Sequence, residues 1–254
     1  MDPDPARARE RAYHDALYGG FAQQHFAKPA VRALRAHMAG RILSLTAGNP
    51  HARALSLGCG IGDTELLIAP RVGQLVGIDI SPAAIRQARE DAARADLHNT
   101  SFLEGSLEEM PFEPCSFDLI YAIFLLHHLP GEALQITLGH VHRLLAPGGR
   151  FYSIDPSRWR LSGAVGRVLF PKLMRSYQSP DERELDRKQL ERRLGAAGLA
   201  CHVGFYDFVS SPLAGLLPSW RAGYQVARAA DELLIRLPLV KRLGSNLEAI
   251  ARRQ

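Results

Sequence analysis

The segment from residue 53 to residue 79 constrains the fold more than any other stretch of this chain. It begins with a short apolar run, Arg53–Leu57, which predicts a buried strand and leads into three alternate glycines. A helix is predicted over residues 63–69, and a second apolar strand over Gln74–Asp79. Because parallel strands need a crossover of this kind between them, the segment predicts an α/β fold.

The same alternation continues along the chain. Helices are predicted over residues 13–26, 29–45, 82–96, 131–145 and 186–197, and strands over residues 100–104, 117–122, 150–154, 199–209 and 246–252. Residues 212–244 are predicted to be mostly helical, as an insertion between the last two strands. Strands that alternate with helices in this way predict a mostly parallel sheet with helices on both faces.

The composition is typical of a soluble globular chain, with 46% hydrophobic and 22% charged residues. No run reaches the roughly 18 apolar residues of a membrane-spanning helix. Residues 1–11 are polar and lack the apolar region of a secretory signal, so we expect a cytoplasmic protein. The three cysteines lie far apart without CxxC spacing, and we expect neither a disulfide framework nor a metal site.

The net charge of +5 is unevenly distributed along the chain. From Arg158 onward there are 17 Lys and Arg against 9 Asp and Glu, whereas the preceding part carries a small excess of acidic residues. Such asymmetry is typical of a surface for nucleic acid or anionic membrane. A solvated arginine-rich face explains it equally well.

The glycine run after the first strand has the composition of a nucleotide-cofactor loop. Glycines adopt unusual backbone angles and let a ligand approach the main chain without a Cβ clash. Asp79 lies at the end of the second strand, where a carboxylate accepts hydrogen bonds from both hydroxyls of an adenosine ribose. The loop and Asp79 together therefore predict a cofactor that contains adenosine.

Asp63 helps to decide which adenosine cofactor is bound. It occupies the position of the third glycine of the dinucleotide fingerprint G-x-G-x-x-G. A carboxylate there repels a pyrophosphate, which disfavours NAD. S-adenosylmethionine has no phosphate and carries an ammonium and a sulfonium group, so it tolerates an acid beside the loop.

With these residues in place, the chain resembles the class I S-adenosylmethionine-dependent methyltransferases, in particular those that act on small molecules, such as quinone-biosynthesis enzymes. The resemblance covers roughly residues 28–156 and rests on five ordered motifs. These are "LSLGCGIG" (55–62), "LVGIDISPAAI" (75–85), "FLEGSLEEMPF" (102–112), "SFDLIYAIFLLHHL" (116–129) and "LLAPGGRFYSID" (144–155).

The resemblance implies a Rossmann-like sheet of seven strands, mostly parallel with an antiparallel last strand, plus helical cap insertions. We expect a single methyltransferase domain over residues 1–254. Within it we assign the N-terminal helices to residues 1–47 and the cofactor-binding core to residues 48–156. The remaining assignments are two cap or lid insertions, at residues 157–180 and 210–245.

The resemblance also implies a set of cofactor-binding residues. Residues 58–62 would line the methionine part of S-adenosylmethionine, Asp79 would hold the ribose, and Ile80 would pack on the adenine. The full expected set is Ser56, Gly58, Cys59, Gly60, Ile61, Gly62, Asp79, Ile80, Gly105, Ser106, Leu107, Ala122 and Phe124.

Two positions depart from the pattern of the family. Ser56 stands where many relatives have an aspartate that meets the ammonium of methionine, and Ser106 stands where an acid often reads the adenine amino group. Each change removes a charge-assisted hydrogen bond, which is worth about 1.5–3 kcal/mol when buried. We expect weaker cofactor binding unless Asp63 or Glu65 compensates.

His127 and His128 follow the fourth strand of the motif order, close to where the reactive methyl group should lie. An imidazole at this place orients the acceptor or takes a proton from an acceptor hydroxyl. The alternative is that the two histidines only end a strand and start a turn. Methyl transfer from a sulfonium depends mainly on positioning, so no dedicated base is compulsory.

The predicted function is methyl transfer from S-adenosylmethionine to an oxygen, nitrogen or carbon atom of a small or amphiphilic acceptor. Residues 212–244 mix apolar and basic side chains, which is typical of a peripheral membrane contact, with a soluble lid or dimer contact as the alternative. A non-catalytic protein that keeps the fold is the alternative function. An NAD-dependent oxidoreductase and an RNA methyltransferase are less favoured, because Asp63 repels phosphate and no RNA-binding module is recognisable.

Overall fold

The computed structural model describes residues 5–18, 21–164 and 183–253 of the chain. The helices are α1 (Pro5–Tyr18), α2 (Phe21–Phe26), α3 (Pro29–Ser44), α4 (Glu65–Ile68), α5 (Pro82–Arg94), α6 (Gly131–Leu144), α7 (Arg187–Ala196), α8 (Ser210–Leu216) and α9 (Arg221–Leu234). The strands are β1 (Arg53–Leu57), β2 (Gln74–Asp79), β3 (Thr100–Glu104), β4 (Phe117–Ile123), β5 (Leu145–Pro156), β6 (Leu199–Asp207) and β7 (Asn246–Arg253). Short 3-10 turns are formed by Ala69–Arg71, Leu126–His128 and Val240–Leu243.

The seven strands form one sheet in the order β3-β2-β1-β4-β5-β7-β6. β1 to β5 run parallel to one another, and β7 is antiparallel to both β5 and β6. The strand order reverses between β1 and β4, and in open α/β sheets a crevice forms at the carboxyl ends of the strands at such a point. The predicted seven-stranded sheet with its antiparallel last strand is confirmed. β6 joins the sheet only through its antiparallel pairing with β7.

Apolar side chains on the two faces of the sheet bury it between helices. On one face, Leu134 and Leu138 of α6 and Leu190 of α7 pack against Leu55 and Ile120 in the sheet. The other face is covered by α3, α8 and α9, whose buried side chains pack with strand residues in a second cluster. This cluster includes Met38, Ile42, Ala214, Tyr224, Leu119, Tyr121 and Tyr152.

Local signals explain where several helices begin. Ser81 precedes α5 and its side-chain oxygen accepts a hydrogen bond from the Ala84 amide at 3.1 Å, with Pro82 in the first turn. Asp186 precedes α7 and accepts from the Gln189 amide at 3.1 Å in the same way. The predicted start of the α5 helix is therefore confirmed.

Three elements differ from the sequence-based expectation. The single helix predicted over residues 13–26 is two elements, and α1 begins as early as Pro5. The helix predicted over residues 63–69 is reduced to the four residues of α4, followed by a 3-10 turn at Ala69–Arg71. β5 begins at Leu145, and the expected turn at residues 147–149 is an irregularity in its pairing with β4.

The insertion between β6 and β7 is helical, as predicted, and consists of α8, α9 and the turn Val240–Leu243. α9 packs on α3 and α8. Most of the other expected cap, residues 157–180, lies outside the described residues. Among the helices that are described, none combines the length and the apolar character required to cross a membrane.

Candidate active site

A cavity of about 800 Å³ lies at the carboxyl ends of β1, β2 and β4. Its volume is in the upper part of the range of roughly 300–1,000 Å³ that is common for small-molecule sites. The cofactor wall, as we call one part of the lining, is formed by residues 56, 58–61, 65, 79–80 and 105–107. The acceptor wall, on the other side, is formed by residues of α1 together with residues 127–136.

Most of the predicted site residues line this one cavity. They are Ser56, Gly58, Cys59, Gly60, Ile61, Asp79, Ile80, Gly105, Ser106, Leu107, Phe124, His127 and His128. Gly62 and Ala122 do not line it. Ala122 is fully buried in β4 as part of the core beneath the cavity. The sheet topology therefore brings together residues that are more than 70 positions apart in the chain.

The glycines of the loop serve two different purposes. Gly60 has a φ of +53°, and a Cβ atom at this position would lie 2.7 Å from the Tyr18 hydroxyl of α1. Gly62 has a φ of +78°, and its Cβ would lie 3.1 Å from the Ala88 side chain and 3.3 Å from the Phe102 ring. Gly60 therefore provides space under α1, whereas Gly62 lets the loop pack closely on α5 and β3.

Asp79 is held in a fixed position below the loop. One carboxylate oxygen accepts from the Gly60 amide at 2.8 Å, and the other accepts from the Ser81 amide at 2.9 Å. Burial raises the pKa of Asp79, although these two hydrogen bonds oppose the shift. Each oxygen keeps a second lone pair, so the carboxylate can accept further hydrogen bonds from a ligand in the cavity.

Ser56 is paired with an acid that lies nine residues further along the chain. Its hydroxyl donates to Glu65 at 2.7 Å, and the Tyr121 hydroxyl donates to the same Glu65 oxygen at 3.0 Å. Burial raises the pKa of Glu65 to about 7, and the nearby charge of Asp63 adds to this shift. A carboxylate is thus present behind Ser56, and it is close to half-protonated at neutral pH.

Asp63 has a different partner. Its carboxylate lies 2.8 Å from Nε of Arg35 on α3, and both side chains are largely buried. The Arg35 guanidinium also lies 5.0 Å from the centre of the Phe26 ring. The charge of Asp63 is therefore balanced by a cation, which leaves Glu65 as the acid that contacts Ser56.

His127 is oriented by a buried carboxyl group that the sequence analysis did not single out. Its Nδ1 lies 3.0 Å from Asp155 at the end of β5, and its backbone amide donates to the same oxygen at 3.2 Å. Burial lowers the pKa of His127 and raises that of Asp155, so both groups favour their neutral forms. This pairing of an imidazole with an acid is the arrangement that orients a proton acceptor.

His128 makes a second pairing, with α1. Its Nδ1 lies 2.8 Å from Oε1 of Glu10, and Nε2 of His14 lies 3.1 Å from the same oxygen. Although burial raises the pKa of Glu10, the hydrogen bonds from His128 and His14 outweigh this and hold it well below its usual range. Neither Glu10 nor His14 was predicted as a site residue.

Two further contacts hold α1 over the cavity. The Ser81 hydroxyl donates to Asp15, and Arg11 forms an ion pair with Glu104 at 2.7 Å. These contacts join α1 to the ends of β2 and β3. The helix therefore closes the cofactor wall as well as the acceptor wall.

Aromatic side chains lie both in the cavity and far from it. Tyr13 and Tyr18 of α1 line the cavity, whereas Tyr206 and Tyr224 are buried in the core. Trp159 and Trp220 are exposed and do not line it.

The comparison with known protein families agrees with this site. Residues 54–149 match the family model described as a methyltransferase domain. Over this segment the chain is therefore similar to methyltransferases. The matched segment contains β1 to β4, the glycine loop, Asp79 and both histidines, and so it includes the whole cofactor wall.

Individual proteins show the same relationship. The chain is similar to demethylmenaquinone methyltransferase of Listeria monocytogenes (33% identity over 112 residues, 43% of this chain and 46% of the relative). It is also similar to sterol 4-C-methyltransferase strm-1 of Caenorhabditis elegans (32% over 151 residues, 56% of this chain and 43% of the relative). The chain spans about half, or less, of the length of the curated relatives it matches.

Among solved structures, the DhpI–SAM–HEP complex superposes with a TM-score of 0.62 at 17% identity, covering 99% of this chain and 100% of that chain. At this level of identity the likeness concerns the fold. These comparisons confirm the predicted fold.

Proposed function

We propose that this protein transfers the methyl group of S-adenosylmethionine to an oxygen, nitrogen or carbon atom of a small or amphiphilic acceptor. The observation that carries the proposal is the shared cavity of about 800 Å³, which is lined by the cofactor wall and by His127, with Asp155 buried behind His127. A cavity of this size accommodates a cofactor and a second small molecule side by side.

On the cofactor wall, the two acids have separate roles. Asp79, fixed by two backbone amides, holds the ribose hydroxyls. The ammonium group of the methionine part binds beside Ser56, where Glu65 supplies the negative charge that position 56 lacks. Because an ammonium group favours the ionised form of a neighbouring acid, bound cofactor lowers the pKa of Glu65.

On the acceptor wall, His127 takes the proton that the acceptor loses. Bound S-adenosylmethionine would supply an activated methyl group: the lone pair of the acceptor atom would form the bond to the methyl carbon, and sulfur would keep the electron pair of the bond that breaks. The proton of the acceptor passes to the neutral imidazole of His127, whose orientation Asp155 maintains.

The lining of the acceptor wall supports an amphiphilic acceptor. Apolar side chains of α1 and of residues 129–136 surround the polar groups His127 and Glu10. These apolar residues are Tyr13, Leu17, Leu129, Pro130, Ala133 and Ile136. The names of two relatives, a demethylmenaquinone and a sterol methyltransferase, indicate acceptors with large apolar parts for those proteins.

We also propose that residues 212–244 contact an anionic membrane surface. Large apolar side chains on this segment are exposed, including Trp220 at 55%, Val226 at 72%, Leu233 at 65% and Leu239 at 78%. Arg221, Arg236, Lys241 and Arg242 lie on the same segment. Apolar side chains next to basic ones are the combination that binds an interface with anionic lipids.

The cofactor assignment is tested by calorimetry with S-adenosylmethionine, S-adenosylhomocysteine and NAD. We expect both sulfur compounds to bind at sub-millimolar concentration and NAD not to bind. Absence of binding by the sulfur compounds removes the methyltransferase proposal, and binding of NAD alone favours an oxidoreductase. Binding without turnover in the labelling experiment below identifies a non-catalytic protein.

The acceptor is tested by incubating cell extract with S-adenosylmethionine that carries a labelled methyl group, followed by mass identification of the product. We expect the label in a small or lipid-like molecule. Label in RNA contradicts this proposal and identifies an RNA methyltransferase.

Membrane contact is tested by co-sedimentation with anionic and with neutral liposomes at physiological salt, where we expect binding to the anionic liposomes only.

A further inference from the structure

A group of three metal-ligating side chains lies in the acceptor wall. Glu10 and His14 occupy positions i and i+4 of α1, and His128 ends the 3-10 turn after β4. One ligand atom of each residue lies within 4.8 Å of the other two, and all three residues line the cavity. We propose that Glu10, His14 and His128 bind a divalent first-row transition metal ion.

The distances within the group fit a single ion. Nδ1 of His128 and Nε2 of His14 lie 2.8 Å and 3.1 Å from Oε1 of Glu10. Ligands at about 2.0–2.2 Å from one ion, at tetrahedral or octahedral angles, are about 3.0–3.5 Å apart. Small side-chain movements are therefore sufficient to direct all three atoms to one ion.

The chemistry of the three ligands selects the class of metal. Two imidazoles and one carboxylate are typical of zinc, iron and related ions, whereas magnesium and calcium prefer sites made of oxygen atoms alone. The second carboxylate oxygen of Glu10 is buried and has no hydrogen-bond partner among the described residues. A cation bound at this carboxylate would give the buried oxygen an electrostatic partner.

The position of the group in the cavity determines what the ion would contact. Three protein residues leave at least one coordination position open, as in catalytic zinc sites. His128 follows His127 directly in the chain, and their ring centres are 4.0 Å apart. An ion held by these three residues would therefore lie near the proposed proton acceptor.

Metal binding is tested directly, without any methyl-transfer assay. The full chain, freed of metal with a chelator, is dialysed against Zn²⁺, and its visible absorption is recorded during titration with Co²⁺. We expect about one ion per chain and the spectrum of cobalt bound by nitrogen and oxygen without sulfur ligands. Substitution of one ligand, His14→Ala, should lower the affinity by about 100-fold or more.

Two further variants separate loss of a ligand from loss of the fold. Glu10→Gln keeps the shape of the side chain and the helix, and it should also weaken metal binding. His98→Ala removes an exposed histidine that pairs with Asp96, outside the group, and it should leave metal binding unchanged. Circular dichroism verifies that each variant is folded.

The proposal is wrong if the unmodified chain binds neither ion, because the three residues then form only a hydrogen-bonded contact between α1 and the core. It is also wrong if His14→Ala and Glu10→Gln bind both ions as tightly as the unmodified chain. Failure of the methyltransferase proposal leaves these measurements unaffected, since neither requires S-adenosylmethionine.

Discussion

The two walls of the cavity are built in different ways. The cofactor wall uses residues at the ends of neighbouring strands, within one segment of about 50 residues, where a strand and a glycine turn determine each position. The acceptor wall joins Glu10 and His14 to His128, which lies more than 110 positions away, and to Asp155 behind His127. The first wall depends on local backbone geometry and the second on the docking of a helix.

The largest expected effect concerns the acceptor wall. Replacing the proposed proton acceptor, His127→Gln, keeps a hydrogen-bonding group for Asp155 but removes the base. We expect kcat to fall by about 10²–10⁴-fold, the usual contribution of general-base catalysis, while the Kd for S-adenosylmethionine is unchanged. The rate is measured with the acceptor found in the labelling experiment.

The matched control for this change is His51→Gln, since His51 is exposed and far from the cavity. It should have the kcat of the unmodified protein. If kcat of His127→Gln falls by less than about threefold, positioning alone supplies the rate. The acceptor wall would then be a binding surface only.

The second prediction concerns the buried acid of the cofactor wall. The pKa of Glu65 is raised from 4.5 to about 7, so the folded state binds more protons than the unfolded state between these two pH values. The free energy of unfolding therefore falls as the pH rises from 4.5 to 7. Glu65→Gln removes this dependence. The quantity to follow is the free energy of unfolding of the variant minus that of the unmodified chain. We expect this difference to be about 3 kcal/mol larger at pH 8 than at pH 4.

The same variant separates stability from binding. The amide that replaces the carboxylate keeps an oxygen for Ser56 and Tyr121 but carries no charge for the cofactor ammonium, so affinity for S-adenosylmethionine should fall by about tenfold at pH 8. Denaturant titrations from pH 4 to pH 8 and calorimetry measure the two effects. A stability difference that does not vary with pH would show that the pKa of Glu65 is not raised. Unchanged affinity would show that Glu65 does not supply the negative charge for the cofactor ammonium.

The third prediction concerns the ribose acceptor. Asp79→Asn has nearly the same shape but cannot accept hydrogen bonds at both of its terminal atoms, so we expect the Kd for S-adenosylmethionine to rise by about tenfold or more. Asp91→Asn on α5 makes the same chemical change away from the cavity and should have no effect. Equal affinities for the two variants would place the ribose elsewhere.

The smallest effect is expected far from both walls. Leu233→Glu on α9 places a negative charge on the exposed face proposed to contact membrane, and it should weaken binding to anionic liposomes several-fold. Gln225→Glu adds the same charge at an exposed polar position of the same helix. If both variants lose binding equally, the interaction depends on charge alone.

The comparison of the walls also explains what could be predicted from the sequence. The loop, Asp79 and the sheet were predictable because each depends on a short pattern that one segment contains. Ala122 and Gly62 stay predictions as cofactor-binding residues, since neither lines the cavity and Ala122 is fully buried in β4. The side chains next to Gly62, those of Ala88 and Phe102, show that close packing favours glycine at this position.

The residues that were missed share a different physical reason. Nothing in α1 indicates that Glu10 and His14 meet His128, because their spacing of four residues occurs by chance in many helices. Asp155 was visible as the last residue of a motif, but its role depends on the pairing of β4 with β5. Only the three-dimensional arrangement shows these contacts.

The position of β7 between β5 and β6 has a consequence for the order of events during protein synthesis. β6 leaves the ribosome first, but its only described partner in the sheet is β7, which follows after α8 and α9. Until β7 pairs with β5, the nascent chain therefore carries β6 without its described partner strand in the sheet. A molecular chaperone that binds exposed apolar segments would find its substrate in this interval.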